Sequence, residues 1–160
     1  MVETMSTRDQ HPTHLTTLPP RTVINLRGPE ADAGFFAALG EVFGVAPPRQ
    51  VNQWRGDDER FVISLGPDEW LVIASTDDPR QLEQRMRAAR ADDPWLSVVD
   101  VSHNYTVLTL AGPAARETLS KGCSIDLHAR AFGPGRCAQT LLARTRALLE
   151  CGRDADHIES

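Results

Sequence analysis

Apolar positions in this chain come in short runs whose period changes several times. Val23, Ile24 and Leu26 read as a strand that breaks at Gly28-Pro29. Phe35, Phe36, Leu39, Val42 and Phe43 then recur at helical spacing. After a proline loop, two apolar runs, FVIS and WLVIA, flank Gly66-Pro67-Asp68-Glu69, the pattern of a hairpin. Asp77-Asp78-Pro79 opens a helix, PRQLEQRMRAAR, with proline in its first turn, where the missing N–H costs nothing. Val98, Val99 and Val101 predict another strand, His103-Asn104 a turn, and TVLTL the next strand. Gly112-Pro113 ends it, and AARETLSK predicts a short helix stopped by Gly122. The run CAQTLLARTRALLE supplies one or two further strand-like pieces.

VINLRGPEADAGFFAAL and VLTLAGPAARETLSKG share one order: strand, Gly-Pro turn, Ala-rich helix. This predicts an α+β fold of two β-α-β-β-α-like halves, the second shortened, because no closing strand or helix is legible after residue 150. Residues 1–20, polar and proline-bearing, are expected to be a disordered N-terminal arm, residues 21–150 a single domain, and residues 151–160 a polar C-terminal tail. On this reading the strand near 146–150 is a bare sheet edge. Together with the apolar hairpin, it leaves sticky surface on the isolated chain.

The chain's 160 residues suit one core, and 41% hydrophobic with 24% charged residues is an ordinary globular balance. A net charge of −5 argues against nucleic acid, which demands a basic face. Lys121 is the only lysine among 17 basic residues, so arginine carries the positive charge. No apolar run approaches the roughly 20 residues of a membrane span, and the N-terminus lacks a signal-peptide core, so a cytoplasmic location is expected. The three cysteines, Cys123, Cys137 and Cys151, are then expected to be reduced thiols.

Candidate chemistry concentrates in KGCSIDLHARAFGPGRCAQTLL, residues 121–142. Zinc ligands usually come in close pairs; Cys123 and Cys137 lie far apart with His128 alone between them, and no C-x-x-C offers redox chemistry. Asp100, Ser102 and His103 could suggest nucleophilic catalysis, but adjacent strand residues point to opposite faces, and a turn in which these side chains bond their own backbone accounts for them at less cost. GPGR and the Gly-Pro turns carry proline where a phosphate loop needs N–H donors. No catalytic, cofactor-binding or metal residue is assigned. His128, Arg130, Phe132 and Arg136 are the candidate contact residues for another subunit, against the plainer reading of an ordinary loop.

LGPDEWLVIA and DVSHNYTVLTLAGPAARETLSKGCSIDLHARAFGPGRCAQTLLAR, in this order and spacing, resemble the gamma subunit of heterotetrameric sarcosine oxidase over roughly residues 20–146, most distinctively over 97–142. The resemblance implies the fold of the folate-binding domains of aminomethyltransferases. It implies partners, the alpha, beta and delta subunits. It implies a complex that demethylates sarcosine to glycine and hydrogen peroxide, the one-carbon unit passing to tetrahydrofolate or leaving as formaldehyde. FAD, FMN and NAD are implied on alpha and beta and zinc on delta, with none on this chain. Members of the family continue past the LLAR strand into a further strand and a final helix, which CGRDADHIES does not resemble. The alternative is a free-standing folate or one-carbon binding domain of the same fold; a small metal or redox protein is a distant third.

Overall fold

Two antiparallel five-stranded sheets organise the computed structural model, which describes residues 13–29, 32–152 and 157–159. The first sheet runs β3 (Gln53–Gly56), β4 (Arg60–Gly66), β5 (Glu69–Ala74), β2 (Thr22–Arg27), β6 (Ser97–Asp100). The second runs β1 (His14–Thr17), β7 (Leu108–Ala111), β10 (His157–Glu159), β9 (Thr145–Cys151), β8 (Cys137–Leu142). Three helices complete the order: α1 (Ala33–Phe43), α2 (Pro79–Ala89) and α3 (Ala115–Ser120).

Strand alternation sends the first sheet's side chains into two cores. Ile24, Leu26, Val62, Trp70 and Val72 meet α1 and α2 through Phe35, Leu39, Phe43, Leu82 and Met86. Trp70 meets Phe35 at a tilt and Phe36 edge to face in this core, ring centroids 5.2 and 5.4 Å away. On the other face Val23, Phe61, Ile63, Leu71 and Ile73 pack with Trp54 against Cys137 and Leu148 of the second sheet. Burial on both faces explains why the hairpin reads as continuous apolar runs rather than alternating ones. A third core, Leu119, Leu127, Phe132, Leu149 and Cys151, lies where α3 and the segment after it meet the far face of the second sheet.

The helices start and stop for local reasons. Asp32 caps α1 by accepting from the Gly34 and Phe35 amides, and Gly44, at φ 72°, takes the left-handed position that ends it. Asp78 caps α2, accepting from the Arg80 amide at 2.9 Å, with Pro79 in the first turn. Arg90, just past α2, binds both Asp32 and Asp93 and so ties the end of α2 to the start of α1.

The halves share one topology. β2 leads to α1 and then to the meander β3-β4-β5, whose last strand returns beside β2; β7 leads to α3 and then to β8-β9-β10, whose last strand returns beside β7. Each unit thus closes with a third meander strand instead of the two expected. Beyond β2 the next place is taken by β6, reached through α2, and the corresponding place beyond β7 is taken by β1, from the opposite end of the chain.

Two boundaries differ from the sequence expectation. Within the segment expected to be a disordered arm, His14–Thr17 pairs with Leu108–Ala111; its four side chains are all exposed, so backbone pairing alone forms it and no apolar period announces it. Residues 1–12 lie outside the described residues. The expected polar tail begins at Cys151, which is buried at the end of β9, and holds the closing strand β10, three residues too short to leave a pattern. The closing helix has no counterpart among the described residues. Consequently β9 is no bare edge, since β8 and β10 flank it, and the apolar hairpin is enclosed by helices and the second sheet. Exposed apolar side chains sit elsewhere, foremost Trp95 at 77% and Leu15 at 68%. No described helix is long and apolar enough to cross a membrane.

The Arg90 clamp makes a pH-dependent contribution. Hydrogen bonding from Arg90, with help from the Trp95 amide, holds Asp93 below its ordinary pKa. At Asp32 desolvation is the largest single influence and acts upward, but the bonds from Arg90 and the Gly34 and Phe35 amides together outweigh it and lower the pKa. Lowered folded-state values mean that the clamp's stabilisation is complete above the ordinary carboxylate value of 3.8 and is lost as pH falls through the folded-state values. Arg90→Met should therefore lower stability at pH 7 and lose most of that deficit in strong acid; urea unfolding of both proteins across pH tests this, and a deficit independent of pH would contradict it.

Candidate functional site

The segment 121–142 wraps the end of the second sheet, and its course is dictated from within the chain. After α3 the backbone returns along β8: Ala143 donates to the Gly122 carbonyl at 2.7 Å and Cys123 bridges Leu142. Asp126 accepts from the His128 amide at 2.9 Å, and the His128 carbonyl accepts from Ala131 and Phe132, closing a turn. Arg116 of α3 holds that turn in place. Its guanidinium donates to the Leu127 carbonyl at 2.6 Å, the Phe132 carbonyl at 2.8 Å and the Cys151 sulfur at 3.2 Å.

The GPGR loop then joins the two sheets. Trp54 of β3 donates its amide to the Gly135 carbonyl at 3.0 Å, and Cys137 donates to the Asn52 carbonyl at 3.0 Å, with Gln53 and Arg136 bridged between them. Cys151 donates to the Arg136 carbonyl at 2.9 Å, while its own carbonyl accepts from the Gly135 amide and, at 2.9 Å, from the buried Trp54 indole. Gly135 sits at φ 79°, a conformation that side chains with a Cβ rarely adopt.

This geometry divides the four candidate contact residues. Phe132 is 4% exposed and packs in the third core, so its ring is not available to a partner, a correction to the sequence expectation. The cause is the turn at His128, which directs Leu127 and Phe132 inward together. His128, Arg130 and Arg136 are exposed. Arg130 has only a loose pair with Asp126, 3.8 Å apart and largely solvated, an interaction of little energetic weight. His128 Nδ1 accepts from the Arg130 amide at 3.2 Å.

The cysteines fall on different surfaces of the second sheet. Cys137 faces the first sheet, whereas Cys123 lies on the opposite side near Thr140, so strand alternation separates the pair. Burial, then the Glu150 carboxylate, pushes the Cys137 thiol up to about 12, with Arg136 opposing. Burial also raises Cys151, against the bond from Arg116. No group of three or more His, Cys, Asp or Glu suited to a metal ion occurs among the described residues. In DVSHN, Asp100 accepts from both the amide and the hydroxyl of Ser102, and the Ser102 oxygen accepts from the Val23 amide at 2.9 Å. The hydrogen bonds from Ser102 lower the Asp100 pKa. The hydroxyl is committed to fastening the turn after β6 onto β2.

Sequence reasoning missed Trp54 and Arg116, the two side chains that fix the segment. Trp54 leaves a faint signal, a bulky residue with one polar handle just before Gly56. Arg116 leaves none, because the acceptors named above are scattered over residues 127–151.

Comparison with known proteins places these features. Residues 27–158 match the sarcosine oxidase, gamma subunit family. Over 118 residues the chain is 44% identical to sarcosine oxidase subunit gamma of Corynebacterium sp. (strain P-1), covering 73% of this chain and 57% of that protein. Over 129 residues it is 41% identical to the subunit gamma of Arthrobacter sp., covering 80% and 62%. The chain thus spans about three fifths of the length of these curated relatives. Among solved structures, the heterotetrameric sarcosine oxidase from Corynebacterium sp. U-96, in complex with pyrrole 2-carboxylate, matches with a TM-score of 0.82 and 34% identity over 92% of this chain and 73% of that one. The aminomethyltransferase T of the glycine cleavage system from Bartonella henselae matches with a TM-score of 0.62 at 14% identity, over 94% of this chain and 42% of that one, a likeness of fold.

Two predictions concern this segment. Gly135→Ala should cost about 1–2 kcal/mol in chemical unfolding, since the nearest atom to an added Cβ is 3.9 Å away and backbone strain is the sole penalty. A neutral substitution would show that the loop relaxes. In alkylation with iodoacetamide at about pH 8, read by mass spectrometry, Cys123 should react first and Cys137 and Cys151 only as the protein unfolds. Rapid native labelling of Cys137 would contradict its placement.

Proposed function

The chain belongs to the sarcosine oxidase gamma subunit family, and from that membership we propose that it is a non-catalytic assembly subunit of a heterotetrameric sarcosine oxidase. In this reading its partners are alpha, beta and delta chains in the cytoplasm. The complex converts sarcosine to glycine and hydrogen peroxide, and its one-carbon unit passes to tetrahydrofolate or is released as formaldehyde. FAD, FMN and NAD belong to alpha and beta, and zinc to delta.

The carrying observation is the family match over residues 27–158, made on one shared fold. The state of the reactive side chains supports the structural role. The Ser102 hydroxyl is engaged in a turn, two thiols are buried with raised pKa values, and the most distinctive segment is spent on joining two sheets. What that segment leaves outside is a polar crest with His128, Arg130 and Arg136, suited to meeting another subunit.

Co-expression with the partner subunits and affinity capture tests the proposal. Arg130→Glu or Arg136→Glu should weaken capture, because a reversed charge desolvated against a partner costs roughly 2–5 kcal/mol. Each should shift the chain's own unfolding by no more than about 0.5 kcal/mol, as at an ordinary surface site. Arg85→Glu, on the exposed side of α2, serves as control and should be tolerated in both assays. Equal capture of all three variants would remove the contact assignment, and absence of capture for the parent chain would remove the subunit reading.

A further inference from the structure

Beside this crest, where α1 stops short of the edge of the first sheet, lies an open cleft of about 690 Å³. Its wall on the sheet side is β3. Trp54 points to the inter-sheet core, so alternation turns Gln53 and Arg55 to the helix side, into a place α1 does not cover. Across the cleft Arg49 lies over the Phe36 ring, 4.2 Å from its centroid. That contact holds the guanidinium at the cleft wall, and Arg49 joins no ion pair among the described residues, so its planar fork can serve a carboxylate. The Gln50 side-chain oxygen accepts from the Gln53 side-chain amide Nε2 at 2.7 Å, a polar pair in the cleft lining.

A third arginine adjoins. Arg136 is the bridge partner of Gln53, and bridge partners project from the same face of a sheet. Cys137, next along, accordingly faces the inter-sheet core with Trp54. The ion pairs of the described residues use Arg27, Arg60, Arg87, Arg90, Lys121 and Arg130. Arg49, Arg55 and Arg136 take part in none of them, although the chain carries 22 acidic residues. Two guanidinium groups outside these ion pairs line the cleft and a third adjoins it through the Gln53 bridge, a local concentration of positive charge in a protein of net charge −5.

We propose that this cleft is a docking groove for an acidic, extended segment of a partner polypeptide. Ala37, Gly40 and Ala46 along its wall let a backbone approach closely, and its open shape suits a peptide better than an enclosed small molecule. Carboxylates of that segment pair with the Arg49 fork and with Arg55, and Arg136 extends the contact onto the GPGR loop. The inference builds on the subunit reading, but a peptide probe needs no partner subunit, so either can fail alone.

The test is fluorescence anisotropy of the full chain with a labelled Glu-Ala repeat peptide of about eight residues, with a Gln-Ala peptide alongside. Binding to the acidic peptide alone, weakening with salt, is expected. Arg49→Gln and Arg55→Gln should each raise Kd about tenfold, and Arg49→Lys should also raise it, because an ammonium ion keeps the charge and loses the stacked fork. Arg144→Gln, in the exposed β8–β9 turn, should leave Kd unchanged. Equal loss with Arg144→Gln would reduce the effect to general charge and overturn the proposal. So would full displacement of the peptide by an equal concentration of glutarate, which would identify a small-carboxylate site. All variants change exposed residues, and their thermal unfolding should match the parent chain; no peptide binding by a folded parent chain also overturns the proposal.

Discussion

Everything in this protein hangs on the junction at which β3 meets residues 135–137 and Cys151. Two sheets that share no strand are joined there by backbone hydrogen bonds in both directions, and the Trp54 indole adds a buried bond to the Cys151 carbonyl. Each of these groups would otherwise be a desolvated donor or acceptor, and leaving one unpaired costs about 1–3 kcal/mol. The junction also sets the spacing of the inter-sheet core, since Trp54 and Cys137 are at once its hydrogen-bonding backbone and part of its apolar filling. The Gly-Pro-Gly-Arg-Cys sequence suits this junction: a positive-φ residue at Gly135, then Arg136 turned out and Cys137 turned in.

That division of labour explains the character of the surface. The segment richest in reactive residue types has Phe132 and the Cys137 thiol drawn inside, and its exposed side chains include Lys121, His128, Arg130 and Arg136. Its chemistry is that of a scaffold with a charged exterior. Arginine suits the role because it bonds several carbonyls at once, as Arg116 does beneath the surface, and stacks on a ring, as Arg49 does at the cleft.

How far the residues alone reveal this depends on whether burial or backbone pairing formed each element. β2, α1, the β4–β5 hairpin and α2 were legible because each repeats apolar side chains at its own period or carries a capping signal such as Asp78-Pro79. β1 and β10 were not, since HLTT and HIE are held by ladders that any sequence can form. The candidate contact residues were legible as a cluster. Their sorting into Phe132 inside and His128, Arg130 and Arg136 outside was not, because it depends on Arg116, Trp54 and Cys151, all distant in sequence. The Gly-Pro pattern exposed the likeness of the halves, but not that each ends in a three-stranded meander.

The position of β1 has a consequence for how the chain is made. The first sheet draws all its strands from one continuous stretch, β2 to β6, and can assemble as soon as that stretch leaves the ribosome. The second sheet cannot, because β1 precedes every strand of the first sheet and its partner β7 arrives only after all of them have been translated. Ring closure over so long an interval is entropically slow, and it comes late. Until then β1 is a tethered free strand, and the newborn protein exists as a finished half carrying the first piece of an unfinished one.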